Sequence, residues 1–277
     1  MDSKIVKLIA FITCFIFSYG YSFSDTVIQL PYKKVGNLII VQAEVEGQNG
    51  NFILDTGAPG LCLNGQHFED QTGMPFEASS TGVNGQRQVI FFYQTRLKMA
   101  GLKQAHNAQV MDLSYLEKRK GLTILGLIGQ AVFKKHELLF DLVKQTILLI
   151  PLDKKGNRLS REYHFPLKEI PFSGKQHFPV LSAQIGDREL KLGLDTGAEF
   201  NVIDQKYRSE LMKFARLQNG ATLVNGSHSR KVHSARIRDI RVGSQECWPM
   251  MTLFTDMDGL NNSLRGKDMD GLLGVEF

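Results

Sequence analysis

Asp55-Thr56-Gly57-Ala58 recurs as Asp195-Thr196-Gly197-Ala198, 140 residues further on, and its flanks recur with it. Ahead of the first copy stands an apolar-alternating strand, Val41-Gln42-Ala43-Glu44-Val45. A polar turn, Gly47 to Asn51, follows, and then Phe52-Ile53-Leu54. Ahead of the second stand Leu181-Ser182-Ala183-Gln184-Ile185, the turn Gly186 to Glu189, and Leu190 to Leu194. Beyond each motif the chain turns apolar again, at Leu61-Cys62-Leu63 and at Val202-Ile203. A gap-free repeat of this kind predicts two similar folding units, each offering one carboxylate.

Two further landmarks keep the same order. Asn84, within Val83-Asn84-Gly85, lies 29 residues beyond Asp55, and Asn225, within Val224-Asn225-Gly226, lies 30 beyond Asp195. Asn-Gly is a strong hairpin signal because both residues tolerate the positive φ of a type I′ turn. Later, Gly126-Leu127-Ile128-Gly129 is answered by Gly271-Leu272-Leu273-Gly274. A single Asp-Thr-Gly would be an ordinary turn, since Asp and Gly are default turn residues. The pair with matched flanks is far more specific.

Together these landmarks resemble the aspartic peptidases, the retropepsin-like branch in particular, over about residues 38–150 and 178–277. The resemblance implies a mainly β fold of two pseudo-symmetric β-barrel lobes with a cleft between them. It makes Asp55 and Asp195 the catalytic pair, and Thr56 and Thr196 the loop supports that bond across the lobe interface. Flap hairpins would lie at Val83-Asn84-Gly85 and Val224-Asn225-Gly226. The apolar-apolar-Gly segments packed behind each Asp would be Leu127-Ile128-Gly129 and Leu272-Leu273-Gly274. Pepsin-like enzymes usually have one flap and Ser or Thr after the Gly. Two candidate flaps, with Ala58 and Ala198 in that place, make the chain resemble a retropepsin dimer fused into one polypeptide. An ordinary hairpin with no contact to substrate is the alternative at each Asn-Gly.

Two carboxyls that share one proton can serve as the base that activates water and the acid that protonates the amide. Like charges about 3 Å apart cannot both ionise, as is established for aspartic proteases, so one pKa falls and the other rises. A bell-shaped rate profile on the acid side of neutral follows. Ala58 and Ala198 offer no hydroxyl to the carboxylates, which places the expected optimum nearer neutrality than pepsin's. Gly57 and Gly197 are expected where the backbone passes close to the carboxylates in unusual φ/ψ.

The first 24 residues read as an export signal. Lys4 and Lys7 precede the apolar run Leu8 to Phe17, which is too short for an ordinary membrane span. Ser22-Phe23-Ser24 and Ser18-Tyr19-Gly20 are competing cleavage sites, and an uncleaved N-terminal anchor is the alternative. Cys14 lies mid-run and fits lipoprotein processing poorly. A periplasmic or secreted protein is expected, without a stable membrane span once the signal is cleaved. Removing residues 1–24 leaves 31 basic and 27 acidic residues and a net charge of +4. The basic residues are scattered apart from small clusters such as Lys118-Arg119-Lys120, read as solvated surface, and no nucleic-acid motif accompanies them. Cys62 aligns with the apolar Val202, so a buried thiol is its plain explanation, with a Cys62–Cys247 disulfide as the alternative. The seven histidines and the cysteines lack zinc spacing, no phosphate loop or Gly-x-Ser-x-Gly elbow is present, and no metal or cofactor is expected.

The repeat divides the mature chain into a first lobe at 25–150, a linker at 151–176 rich in charge, Gly and Pro, and a second lobe at 177–277. Short helices are expected at Leu113 to Lys120 and Gln205 to Phe214. His228 and His233 flank a strand after the second flap and are expected to be solvent-exposed. The first lobe continues into a hairpin, Leu138 to Leu142 and Thr146 to Ile150, with no counterpart after Gly274-Val275-Glu276-Phe277. Either the sequence is a fragment, the favoured reading, or the second lobe closes differently; a complete chain is expected to leave unpaired strand edges. The leading functional expectation is an exported endopeptidase acting on extended peptide or unfolded protein, monomeric because one chain supplies both carboxylates. A peptide-binding protein with an inactive pair is one alternative. A two-carboxylate glycosidase, with its acids about 5 Å or more apart, is the other.

Overall fold

A computed structural model describes residues 26–68, 78–81, 87–160, 170–173, 179–217, 221–225, 228–263 and 269–277. The expected signal at 1–24, the tip Val83-Asn84-Gly85, Gly226 and much of the linker lie outside these residues. The first lobe is built from β1 (Ile28–Val35), β2 (Leu38–Val45), β3 (Gln48–Leu54), β4 (Leu61–Asn64), β5 (Ala78–Thr81), β6 (Arg87–Met99), β7 (Leu102–Met111), β8 (Gly126–Ile128), β9 (His136–Asp141) and β10 (Thr146–Pro151), with short helices α1 (Gly65–Phe68) and α2 (Ser114–Lys120). The second contains β11 (Val180–Ile185), β12 (Arg188–Leu194), β13 (Asn201–Asp204), β14 (Ala215–Leu217), β15 (Ala221–Asn225), β16 (His228–Ile237), β17 (Ile240–Val242), β18 (Gln245–Cys247), β19 (Met250–Thr255) and β20 (Gly271–Leu273), with α3 (Arg208–Leu211) and α4 (Asp258–Ser263). The fold is mainly β, in two lobes, as the repeat predicts.

In the first lobe β2, β3, β8, β4, β7 and β6 pair in turn, and β6 pairs back to β2 through Glu44↔Lys98 and Val45↔Leu97, closing a barrel. A sheet closed on itself has no exposed edge within the ring. The second lobe repeats the order as β11, β12, β20, β13, β19 and β16. Here the counterpart of the long β6 is interrupted. β16 stops at Ile237, Asp239 takes φ 60°, and β17 resumes the pairing with β11 at Ala183↔Val242. The second sheet therefore curves as an open half-barrel. Beyond the ring, the first sheet continues through β1 to β10 and β9, the expected hairpin, which has no counterpart among the described residues of the second lobe.

Strand periodicity explains where the core sits. In β2, Ile39 and Val41 face the main first-lobe core with Phe52, Leu54 and Leu149. Leu38 and Ile40 face a smaller cluster with Ile53 and Ile124, so successive side chains fill opposite faces. In β11, Leu181, Ala183 and Ile185 enter the second core, while Ser182 and Gln184 face out. The polar turns are shorter than the sequence predicts. Val45↔Gln48 and Ile185↔Arg188 are paired, so the turns are Glu46-Gly47 and Gly186-Asp187. Gln48 to Asn51 and Arg188 to Glu189 instead begin strands, because a hairpin that overhangs the core can be polar and still ladder-bonded. The helices fall where expected, with 205–214 formed by two 3₁₀ turns around α3. No helix among the described residues is long and apolar enough to cross a membrane.

Candidate active site

Each aspartate stands one residue beyond a central strand, at a place the sheet geometry repeats. β3 pairs with β8 in parallel through Leu54↔Ile128, and β12 with β20 through Leu194↔Leu273. The next residue on each strand continues the ladder. Asp55 N–H donates to the Ile128 carbonyl at 3.0 Å, and Asp195 N–H to that of Leu273 at 2.8 Å. Each chain then folds back, with Ala58 N–H on the Asp55 carbonyl at 3.1 Å and Ala198 N–H on that of Asp195 at 3.2 Å. The apolar-apolar-Gly segments thus hold the aspartate backbones from behind. Their final glycines are sterically required, since a Cβ on Gly129 would lie 2.3 Å from the Ala58 carbonyl oxygen and one on Gly274 would lie 2.6 Å from that of Ala198.

The two turns meet across the lobe junction through the threonines. Thr56 Oγ1 donates to the Leu194 carbonyl at 2.8 Å and accepts Thr196 N–H at 2.9 Å. Thr196 Oγ1 donates to the Leu54 carbonyl at 2.9 Å and accepts Thr56 N–H at 3.0 Å. Four hydrogen bonds therefore tie the lobes together at the turns that carry the carboxylates, in a reciprocal pattern. Gly57 and Gly197 face the opposite aspartate: an added Cβ would lie 2.7 Å from Asp195 Oδ1 in one case and 2.4 Å from Asp55 Cγ in the other. Neither glycine is among the residues with positive φ. The expected unusual backbone is therefore not the reason for glycine here; the need is space.

Asp55 Oδ1 accepts Gly57 N–H at 2.8 Å and Ala58 N–H at 3.0 Å, and Asp195 Oδ1 accepts Gly197 N–H at 2.8 Å. Each carboxyl lies against the opposite turn, close enough that the two titrate as a pair. Burial raises both above the ordinary carboxyl range. For Asp55 the hydrogen bonds from Asp195, Gly57 and Ala58 oppose the rise. Asp195 is raised well above it, by burial first and then by the negative charge of Asp55. The arrangement favours the charge on Asp55 and the proton on Asp195, although the titration belongs to the pair. Behind them Cys62 is buried, and its thiol is pushed up to about 12 by burial and by the charge of Asp55. A thiol so raised is inert at neutral pH. Cys62 and Cys247 are both free, so the disulfide alternative is not realised.

The candidate flaps are antiparallel hairpins. β5 and β6 pair from Ala78↔Ile90 to Thr81↔Arg87, with 82–86 between them, and β15 and β16 pair from Ala221↔Val232 to Asn225↔His228. The second pairing corrects the expected turn. Val224 and Asn225 are strand residues, and only 226–227 lie between the two strands, because the ladder runs further than the Asn-Gly signal implies. His228 and His233 both lie within β16 rather than flanking it, and His233 is exposed.

Sequence reasoning misses three residues of this junction. Glu199 extends from the second lobe to the first, where its carboxylate lies 2.6 Å from Lys120 Nζ and its carbonyl accepts Asn37 Nδ2–H at 2.9 Å. Lys120 is expected to be solvated, yet its side chain is only 11% exposed. The available signal is the break in the repeat: Ala58 is followed by Pro59-Gly60, but Ala198 by Glu199-Phe200.

Residues 181–277 match the model of a family described as aspartyl protease. No curated protein matches the chain. The matched segment contains Asp195-Thr196-Gly197-Ala198, Gly271-Leu272-Leu273-Gly274 and the whole run of the second sheet from Leu181. The second lobe is thus similar to the aspartyl proteases over its whole described length from Leu181.

Proposed function

We propose that the protein is an exported aspartic endopeptidase that hydrolyses peptide bonds with Asp55 and Asp195. The observation that carries this reading is the approach of two carboxyls, one from each lobe and each against the opposite glycine turn, with desolvation raising both. Asp55, the better supplied with backbone N–H donors, accepts a proton from the attacking water. Asp195 donates its proton toward the scissile carbonyl oxygen as that oxygen gains charge. The tetrahedral diol formed by the attacking water then collapses: Asp55 passes its proton to the leaving nitrogen as the C–N bond breaks, and a diol hydroxyl returns a proton to Asp195 as the carbonyl re-forms. Two carboxyls acting in relay supply both acid and base without a covalent intermediate. An extended peptide, or an unfolded stretch of protein, is the substrate form that suits hairpins such as β5–β6 and β15–β16, which can pair with it as strands. One chain supplies both carboxylates, so a monomer suffices. Export rests on the residues 1–24 pattern alone.

The test is hydrolysis of an unfolded protein by purified residues 25–277 across pH 3 to 8, beside Asp55→Asn and Asp195→Asn. Cleavage with a bell-shaped profile that is lost in both variants supports the reading. Folded parent protein that cuts nothing across that range rejects it.

A further inference from the structure

The threonine bonds are symmetrical, but a second link between the lobes is not. Glu199 follows directly after the Asp195 turn. The turn is itself fixed, with Ala198 N–H on the Asp195 carbonyl and the Ala198 carbonyl accepting Val275 N–H at 2.9 Å. From there Glu199 reaches into the first lobe. Its Oε1 meets Lys120 Nζ at 2.6 Å and Asn37 N–H at 3.3 Å, and its carbonyl meets Asn37 Nδ2 at 2.9 Å. With side-chain exposures of 11% for Lys120 and 20% for Glu199, the ion pair is shielded from solvent. The seat is made to fit. Gly36 has φ +62°, and a Cβ there would lie 2.6 Å from Glu199 Oε1 and 3.3 Å from Lys120 Nζ. Lys120 ends α2, where the helix closes on a left-handed Gly121 whose N–H bonds the Glu117 carbonyl at 2.8 Å. The other carbonyls of that last turn also favour a cation. In the first lobe the corresponding position is Pro59, which has no charge to return the contact.

We propose that Glu199, latched onto Asn37 and Lys120, is a positioning residue that holds the Asp195 turn at the distance from Asp55 at which the two carboxyls share a proton. Apart from the threonine bonds, Val275 of the second lobe packs against the first-lobe core, and neither contact fixes the Asp195 turn through a charged pair. An ion pair held by two further hydrogen bonds has a defined geometry. The inference deepens the peptidase reading and depends on it for any effect on rate. Its structural content, the carboxyl separation, does not depend on that reading.

Two variants test it. The carboxyl resonances of carbon-13 aspartate-labelled protein are titrated from pH 3 to 8, with Asp55 and Asp195 identified by their loss in the Asp→Asn variants. In the parent the pair titrates in two separated steps. In Glu199→Gln and in Lys120→Met the steps move together as the carboxyls part. On a peptide that the parent cleaves, kcat falls between about 10- and 100-fold with KM little changed, the scale of a small misplacement of reacting groups. Steps that stay equally separated in either single variant overturn the proposal whatever the rate, because a merely stabilising contact would lower Tm without moving them. Converging steps in a protein that cuts no peptide would uphold the latch and remove the peptidase reading.

Discussion

The two lobes share a backbone and differ in how they settle the same local problems. β3 with β8 and β12 with β20 have matching registers, and each aspartate N–H finds the same carbonyl. The side chains around that frame diverge. Position 64 is Asn in the first lobe and the corresponding position 204 is Asp, both almost fully buried. Asn64 satisfies itself with main chain alone: its Nδ2 donates to the Ile124 carbonyl at 3.0 Å, and its Oδ1 accepts Leu113 N–H at 3.1 Å and Gln66 N–H at 3.3 Å. Asp204 accepts Lys206 N–H at 3.0 Å and keeps Lys206 Nζ 3.3 Å from its other oxygen. A repeated fold thus constrains the backbone that presents the carboxylates. Elsewhere it requires only that each buried polar group be paired, by whatever means the local sequence offers.

The largest test of this symmetry is catalytic. Asp55→Asn and Asp195→Asn should each lower kcat/KM by at least about 1,000-fold, equally from either lobe, since neither carboxyl can do both tasks. A roughly tenfold difference between the two variants in an initial-rate assay would mean that one lobe carries more of the chemistry.

Next in size is the exchange at the buried polar position. Asn64→Asp should cost about 3 kcal/mol at neutral pH by urea denaturation, because it removes a donor and buries a charge with no built-in cation. A loss under about 1 kcal/mol would show that the first lobe tolerates charge there as readily as the second. Thr56→Val and Thr196→Val come third, at about 2 kcal/mol each, since each strands an N–H and a carbonyl of the opposite lobe. Their double variant should lose less than the sum, because the four bonds form one unit; strict additivity would contradict reciprocal linkage. Asp204→Asn should cost under about 1 kcal/mol: the amide oxygen can still accept Lys206 N–H, and the lysine head is largely solvated.

The last expected effect is a gain. A carboxyl whose folded pKa lies above its unfolded value binds its proton more tightly when folded. Its contribution is therefore fully present below about pH 4 and is lost as pH rises through the folded pKa. Burial raises Asp195 in this way. Asp195→Asn should therefore unfold at a higher temperature than the parent at neutral pH, the difference vanishing as pH falls to about 4. Thermal melts in which the variant is the less stable at neutral pH would rule out a desolvated, raised pair.

Much of this is legible in residues 41–63 and 181–203. Alternation of apolar residues has a period of two only in strands, and a gap-free repeat leaves little choice but two like units. The two Asp-Thr-Gly-Ala turns, their Gly-x-x-Gly supports and the final first-lobe hairpin follow from that pattern. The turn before β3 is shorter in the fold than in the sequence because polar residues in an overhanging hairpin look like loop. Asn225 lies in a strand although its dipeptide suggests a turn, because dipeptide preference says nothing of where a ladder stops. Lys120 looks solvated because composition cannot reveal what lies across an interface.

By itself, then, the sequence determined the existence of two lobes and the identity of their carboxylates, since these depend on local periodicity and turn chemistry. Only tertiary structure decided that Asp55 and Asp195 each lie against the opposite turn, that Thr56 and Thr196 exchange bonds, and that Glu199 sits on Lys120 and Asn37. Those facts depend on packing, which sets the distances between residues far apart in the chain, 140 positions for the threonines and 162 for Asn37 and Glu199. Contacts of that range leave no periodic trace in the sequence, because any pairing that satisfies charge and hydrogen bonding would have served the local fold equally well.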